Sequence, residues 1–221
     1  MSYSGDPFGQ IVGLFTGRVQ TLWPGQAPSA IAKTRIEGAR QVTASGLQGD
    51  MCADLSAHGG PDQAIHHYAA DHMPFWINRH KEQAATFVPG CFGENVATTG
   101  LDEHNLCIGD VLSMGTARVQ VSQGRQPCWK LNAHIGRKDM AHAFRTTCKT
   151  GWYYRVLEPG VVTPDSFMHV MERPAPEWPI HEVIAARFAR EVSEETAQRL
   201  SDLAPLSAAW RSHFHKLLKV E

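Results

Sequence analysis

The 221-residue sequence lacks long apolar runs, and none approaches the roughly 20 residues that a helix needs to cross a bilayer. The first ten residues, MSYSGDPFGQ, have no basic patch followed by an apolar segment, so they do not resemble a signal peptide. Charge is nearly balanced, and the formal net charge is −1. Because no bulk field would attract nucleic acid or an anionic membrane, we expect a cytoplasmic protein that binds neither.

The sequence also lacks a CxxC pair, although it contains five cysteines. An odd number without such pairs argues against a disulfide framework and against a structural zinc site. In a reducing compartment we expect most of these thiols to be inert, buried, small apolar residues. The cysteines assigned to that class are Cys52, Cys91, Cys107 and Cys148. Cys128 remains as the candidate for a reactive thiol.

Several catalytic and cofactor motifs are missing. The chain has no GxGxxG, Walker A or GxSxG motif, and no pattern typical of flavin, haem or iron–sulfur binding. Twelve histidines raise the question of zinc, but HExxH is absent. His66 and His67 alternate on a predicted strand and should point to opposite faces. A zinc hydrolase is therefore disfavoured, and any redox reaction needs electrons from outside the chain.

Short strand patterns separated by glycine and proline turns dominate the first 173 residues, and the clearest hairpin turns at Gly115 and Thr116. Three prolines between 174 and 179 then form a linker-like stretch. Helical spacing is found at 69–86, 128–135, 138–147, 180–188, 194–203 and 207–218. The pattern predicts an α+β protein with a barrel or sandwich core in residues 1–173 and a three-helix segment in residues 178–221.

Cys128 differs from the other cysteines in its surroundings. Arg125 precedes it by three residues, Lys130 follows it by two, and Pro127 stands directly before it at a predicted strand-to-helix junction. A thiol at a helix start beside cations is expected to have a lowered pKa and more thiolate. Thiolate is the form that ligates soft metals or carries sulfur. A buried cysteine in an ordinary connection is the alternative.

Two other segments carry the residue types of an anion site. Alternation in residues 30–37 places Lys33 and Arg35 on one strand face, which fits an anion site but also a solvent-facing surface. In the turn that begins at His58, Gly59 and Gly60 let the backbone approach an anion closely. For an isolated segment of this kind, an ordinary exposed turn is the simpler interpretation.

In combination these segments resemble the MOSC domain, which is named for the C-terminal domain of molybdenum-cofactor sulfurase. The resemblance rests on the blocks Ser29-Ala30-Ile31-Ala32-Lys33, Gly46-Leu47-Gln48-Gly49-Asp50, His58-Gly59-Gly60-Pro61-Asp62, Phe92-Gly93-Glu94-Asn95, Gly109-Asp110-Val111 and Val121-Ser122-Gln123 through Arg125-Gln126-Pro127-Cys128-Trp129-Lys130-Leu131. More narrowly, residues 10–172 are similar to stand-alone bacterial MOSC proteins linked to resistance against 6-N-hydroxylaminopurine. Residues 178–218 resemble the three-helix extension of those proteins.

The resemblance implies a closed β-barrel with inserted helices and a pocket for the molybdenum cofactor, molybdopterin, which a purified protein can lack. It implies that Cys128 is the catalytic cysteine and a metal ligand or sulfur carrier. It also implies that Lys33, His58, Gly59 and Arg125 surround the pterin and its phosphate. The implied activity is the reduction of N-hydroxylated bases or related N-oxygenated compounds, with electrons from a separate reductase.

Two alternative functions stay open. Cys128 could carry a persulfide and deliver sulfur or cofactor to another molybdenum enzyme. The fold could also bind a pterin-like or nucleotide-like ligand without chemistry, in which case the helical tail would serve a homodimer or another partner. The tail's stripe of Trp210, Phe214 and Leu217 is, however, typical of internal packing.

The sequence departs from the family pattern at two positions. Gln63 stands where lysine or arginine is usual, which predicts one missing anion contact. Gly124 stands where proline is usual, which predicts a looser loop before Arg125 and Cys128.

Overall fold

The computed structural model describes residues 7–54 and 59–218. In that part of the chain the strands are β1 (Phe8–Gly17), β2 (Lys33–Arg35), β3 (Arg40–Thr43), β4 (Gly46–Leu47), β5 (Ile65–Ala69), β6 (Val96–Thr99), β7 (Val111–Met114), β8 (Ala117–Gly124), β9 (Trp152–Glu158), β10 (Gly160–Val162) and β11 (Phe167–Glu172). The α-helices are α1 (Met73–Arg79), α2 (Trp129–Ile135), α3 (Met140–Thr147), α4 (Ile180–Phe188), α5 (Glu194–Asp202) and α6 (Ala208–Leu217). Short 3-10 segments cover Pro61–Gln63, Ala70–His72 and Lys81–Thr86.

Seven strands close into a barrel in the order β11-β7-β8-β9-β5-β6-β1, and the pairing of β1 with β11 completes the ring. Neighbouring strands are antiparallel except β5 and β6, which are parallel. β2 extends the sheet beside β1, and β3, β4 and β10 form a separate small sheet. The predicted α+β fold, a closed barrel with inserted helices and C-terminal helices, is confirmed.

The barrel interior follows from alternation along the strands. On β8, Val119 and Val121 are fully buried while Arg118 and Gln120 are partly exposed. His67 of β5 also points inward, where it bonds Tyr154 Oη at 2.9 Å and Thr98 Oγ1 at 2.8 Å. Burial lowers the pKa of His67 to about 3, so this imidazole is neutral in the fold.

The C-terminal helices pack into the same apolar core as the barrel. Ile184 of α4 and Trp210 and Phe214 of α6 are almost completely buried in it. A Cβ on Gly124, the last residue of β8, would lie 2.3 Å from Ile184 Cγ1 and 3.0 Å from Trp210 Cη2. The expectation that Gly124 loosens the chain is therefore wrong, because Ile184 and Trp210 pack closely against this end of β8. The division of the chain into two domains, residues 1–173 and 178–221, stays a prediction.

Some local predictions need correction. The predicted strand at residues 30–37 is reduced to the three residues of β2, and Ile31 lies in the preceding loop. The short strand β10 was not predicted from the sequence. Pro74 lies in the first turn of α1, where proline is tolerated. Within residues 7–54 and 59–218, no helix is both long and apolar enough to span a bilayer.

Candidate functional site

A cavity of about 450 Å³ is bounded by β2, β5, β9 and the connection from β8 to α2. Its lining includes Cys128, Arg125, Lys33 and Gly59, which are four of the five residues predicted for the site. The fifth, His58, lies outside the described residues. The lining also includes Ser45, Asp50, Cys52, Gln63, His66, Asn95, Lys130 and Tyr153. The fold thus brings together segments that are distant in sequence.

Cys128 is the residue directly before α2 and has an extended backbone, with φ −123° and ψ 179°. It is partly exposed, and its sulfur is not in a disulfide. Lys130, in the first turn of α2, donates from Nζ to the carbonyl oxygen of Pro28 at 3.0 Å. This bond ties the start of the helix to the loop that also lines the cavity. The lowered pKa expected for Cys128 stays a prediction.

The other four cysteines do not share one environment. Cys107 and Cys148 are buried, and burial raises the pKa of both thiols, that of Cys107 to about 11. Burial and the nearby Glu94 carboxylate raise the pKa of Cys91. These three thiols are poorly ionised, as the sequence predicted. Cys52 is different: it is exposed and lines the cavity, so its assignment to the buried class is wrong.

Arg125 places a buried positive charge at the cavity. The residue is only 7% exposed, and its Nη1 donates to the carbonyl oxygen of Phe92 at 2.7 Å. Among the described residues no carboxylate forms an ion pair with it, and its remaining N–H groups are not sealed within the protein. The buried Glu94 carboxylate interacts with this charge but forms no direct ion pair with it, so the cavity side of the guanidinium is suited to an anionic ligand.

Lys33 contributes a second cation, but a protein carboxylate already holds it. Its Nζ lies 2.6 Å from Asp50 Oδ2, and both side chains are largely buried. Asp50 also accepts hydrogen bonds from the backbone N–H of Gly17 at 2.7 Å and from Asn95 Nδ2 at 2.8 Å. Burial lowers the pKa of Lys33, and the Asp50 carboxylate opposes that shift. Asp50 therefore fixes the position of Lys33 and neutralises part of its charge.

His66 and Tyr153 form an aromatic wall of the cavity. They are paired across β5 and β9, and their ring centroids are 5.0 Å apart. His66 Nδ1 lies 3.3 Å from the carbonyl oxygen of Gly93, which requires that this nitrogen carries the hydrogen. Burial, followed by the charge of Arg125, lowers the pKa of His66 well below its usual value. His66 and His67 point to opposite faces of the sheet, as predicted.

The glycine turns have the backbone geometry that the sequence suggested. Gly59 and Gly60 have φ values of +84° and +81°, a region that favours glycine. Gln63, which replaces the usual cation, lines the cavity as a neutral residue. Glu94 does not face the cavity: it is fully buried and accepts backbone N–H bonds from Gly90 and, at 3.1 Å, Phe92. It therefore stabilises a turn.

Sequence reasoning missed the parts of the site that depend on long-range pairing. Asp50 and Asn95 were within recognised blocks, but nothing local indicated that they meet each other and Lys33. His66 was treated only as a zinc candidate, and Tyr153 was not singled out. Their pairing depends on the register of β5 against β9, which periodicity does not reveal.

The chain matches two described families. Residues 54–167 match the MOSC domain, and residues 178–220 match the YiiM-like, 3-alpha helix domain. It is 38% identical over 205 residues to Protein YiiM of Escherichia coli (strain K12), which is 93% of this chain and 91% of that protein. It is 36% identical over 173 residues to a protein of Gibberella moniliformis named Reductase, which is 76% of this chain but 30% of that longer protein.

The solved structures include one with closely similar architecture. The crystal structure of YiiM from Geobacillus stearothermophilus superposes with a TM-score of 0.81 at 32% identity. The match covers 96% of this chain and all of that one. The similarity therefore extends over the barrel and the C-terminal helices together.

Proposed function

The chain belongs to the MOSC domain family, and on that basis we propose that it binds a molybdenum–pterin cofactor in the Cys128 cavity. We further propose that it reduces N-hydroxylated bases or related N-oxygenated compounds to amines. The observation that supports this most directly is that the Cys128 thiol and the unpaired Arg125 guanidinium line one cavity. A thiol-dependent site of this kind suits the reducing cytoplasm.

The residues of the cavity fit the two chemical parts of this cofactor. A phosphate needs cationic donors, and Arg125 offers N–H groups that no protein carboxylate occupies in the described chain. Lys33 adds two further N–H donors beyond the one directed to Asp50. A soft metal favours a thiolate, and Cys128 is the partly exposed cysteine beside these cations.

When bound, the cofactor supplies two-electron redox chemistry at its metal. Cys128 would hold the metal, while Arg125 and Lys33 would hold the phosphate. Asp50 prevents Lys33 from rotating away, because it also bonds Gly17 and Asn95 and is therefore fixed itself. The neutral rings of His66 and Tyr153, which are tilted by 36° to each other, form an aromatic wall beside which a planar ring would lie.

The overall reaction is balanced by two electrons and two protons. The N–O bond of a substrate R–NHOH breaks, the nitrogen gains one hydrogen, and the oxygen leaves as water after gaining the other. The electrons come from a separate reductase partner. The resemblance to a part of a longer protein named Reductase is consistent with redox chemistry.

A reduction assay tests this function. Protein made in cells that synthesise the cofactor is mixed with 6-N-hydroxylaminopurine and a chemical reductant, and adenine is measured. We expect wild type and Cys52→Ser to form adenine and Cys128→Ser to form none. Cys52→Ser is the matched control because it removes an exposed thiol from the same cavity. A fully active Cys128→Ser protein would contradict the proposal.

The competing function is sulfur or cofactor delivery through a persulfide on Cys128. It is favoured by the partial exposure of this thiol in a cavity that is open to solvent. It predicts a mass increase of one sulfur atom on the Cys128 peptide and no adenine formation. Peptide mass spectrometry of the same preparation, without reducing agent, separates the two functions.

A further inference from the structure

Tyr153 has a hydroxyl group that no described residue of the protein bonds. Within residues 7–54 and 59–218, Tyr153 Oη has no hydrogen-bond partner. The side chain lines the cavity, and the oxygen is not among the atoms sealed inside the protein. The contrast with Tyr154 is direct, because that hydroxyl points into the barrel and bonds His67 at 2.9 Å.

The position of Tyr153 is fixed by the sheet. It pairs with His66 on β5 and with Gln123 on β8, so strands restrain it on both sides. Its ring packs against the His66 imidazole, and its carbonyl oxygen accepts a bond from Ser122 Oγ at 3.0 Å. A donor held on a rigid strand loses little entropy when it meets a ligand.

The hydroxyl keeps its hydrogen at neutral pH. Burial raises the pKa of Tyr153, and the positive charge of Arg125 opposes that shift. Tyr153 is therefore a neutral O–H donor in a cavity whose other strong donors are the cations Arg125 and Lys33. The cations match a phosphate, whereas a neutral donor is suited to a neutral oxygen.

We propose that the Tyr153 hydroxyl recognises the substrate by donating a hydrogen bond to its N-hydroxyl oxygen. This inference rests on the proposed reductase function and names a residue that determines substrate specificity. The donor favours an N-hydroxylated ligand over the corresponding amine, because the amine lacks the acceptor oxygen. The same bond stabilises negative charge that develops on the oxygen as the N–O bond breaks.

Binding of a matched ligand pair tests the inference independently of turnover. The dissociation constants of 6-N-hydroxylaminopurine and adenine are measured by calorimetry on full-length, cofactor-loaded protein in the absence of reductant. We expect wild type to favour the hydroxylated purine by about fivefold to tenfold, the effect of one hydrogen bond. Tyr153→Phe should bind both purines equally, since it keeps the ring on His66 and loses only the hydroxyl.

Ser45→Ala is the matched control. Ser45 also lines the cavity, but its hydroxyl already bonds Thr43 Oγ1 at 3.0 Å, so the variant should keep the wild-type ratio. Pterin content is measured in parallel by fluorescence after oxidation, and we expect Tyr153→Phe to retain as much as wild type. In the reduction assay, kcat of Tyr153→Phe should fall about a hundredfold.

Three outcomes would overturn the inference: a wild type that does not discriminate between the purines, an unchanged ratio in Tyr153→Phe, or a loss of pterin from that variant. Loss of pterin would mean that the phenol belongs to the cofactor. If wild type forms no adenine but its binding preference disappears in Tyr153→Phe, the reductase function fails and the role of Tyr153 in recognition stands.

Discussion

Replacing Arg125 should separate cofactor binding from folding. In Arg125→Gln the buried cation is lost and a neutral polar side chain takes its place, so the carbonyl oxygen of Phe92 loses the donor that Nη1 supplies at 2.7 Å. Because no carboxylate of the described chain forms a direct ion pair with Arg125, its cavity-facing charge is available to a phosphate. One charge-assisted hydrogen bond contributes about 1.5–3 kcal/mol, so its loss weakens binding roughly tenfold to 150-fold.

The assay is the pterin retained per chain after extensive dialysis, measured by fluorescence of the oxidised pterin. Arg118→Gln is the matched control, because Arg118 is an arginine on β8 whose ion pairs, with Glu158 and Glu172, are away from the cavity. We expect Arg118→Gln to retain pterin as wild type does and Arg125→Gln to retain little. Circular dichroism verifies that both variants are folded. A folded Arg125→Gln protein with wild-type pterin content would refute the reasoning.

Three further predictions concern the framework of the site. Burial holds the pKa of His67 at about 3 in the folded protein, whereas the usual value of 6.5 applies in the unfolded chain. As the pH falls below 6.5, His67 therefore gains a proton in the unfolded chain before it does so in the folded protein. The free energy of unfolding that is present above pH 6.5 is lost progressively towards pH 3. Urea unfolding at pH 7.5 and 5.0 should show about 2 kcal/mol more loss in wild type than in His67→Gln, and equal losses would contradict this. Gly151→Ala should lower the free energy of unfolding by about 1–3 kcal/mol, because φ of this residue is +73° and a Cβ would lie 2.3 Å from the carbonyl oxygen of His67. An unchanged free energy of unfolding would show that the backbone at Gly151 and at His67 can move apart. Deleting residues 178–221 should yield insoluble or unfolded protein, because it removes Ile184, Trp210 and Phe214 from the shared core and exposes the apolar barrel residues packed in the same cluster. A folded, monomeric barrel, judged by gel filtration, would instead support an independent domain.

The sequence predicted the fold well where local patterns determine it. The hairpin of β7 and β8 could be predicted because Val119 and Val121 alternate with polar residues after a Gly-Thr turn. Helix α2 could be predicted because Pro127 precedes a helical pattern. The three C-terminal helices were found from their spacing. Closure of the barrel by β1 and β11 was not visible in any pattern and came only from the resemblance to the family.

The candidate site was predictable where its residues are close in sequence. Arg125 and Cys128 lie three residues apart, and both line the cavity. The interaction of Lys33 with Asp50 crosses 17 positions and depends on how the loop after β4 folds against β2. Charge patterning showed only that Lys33 could face an anion, and it could not show that a carboxylate already holds this lysine.

Molybdenum and pterin content tests the central claim most directly. Wild type, Cys52→Ser and Cys128→Ser are purified without oxygen from cells that make the cofactor, and the metal is measured by mass spectrometry alongside the oxidised pterin. We predict near-stoichiometric molybdenum and pterin in wild type and Cys52→Ser, and no retained molybdenum in Cys128→Ser. Wild-type protein that contains neither, or a Cys128→Ser protein that keeps its molybdenum, would contradict the claim that the thiol of this cavity holds the metal.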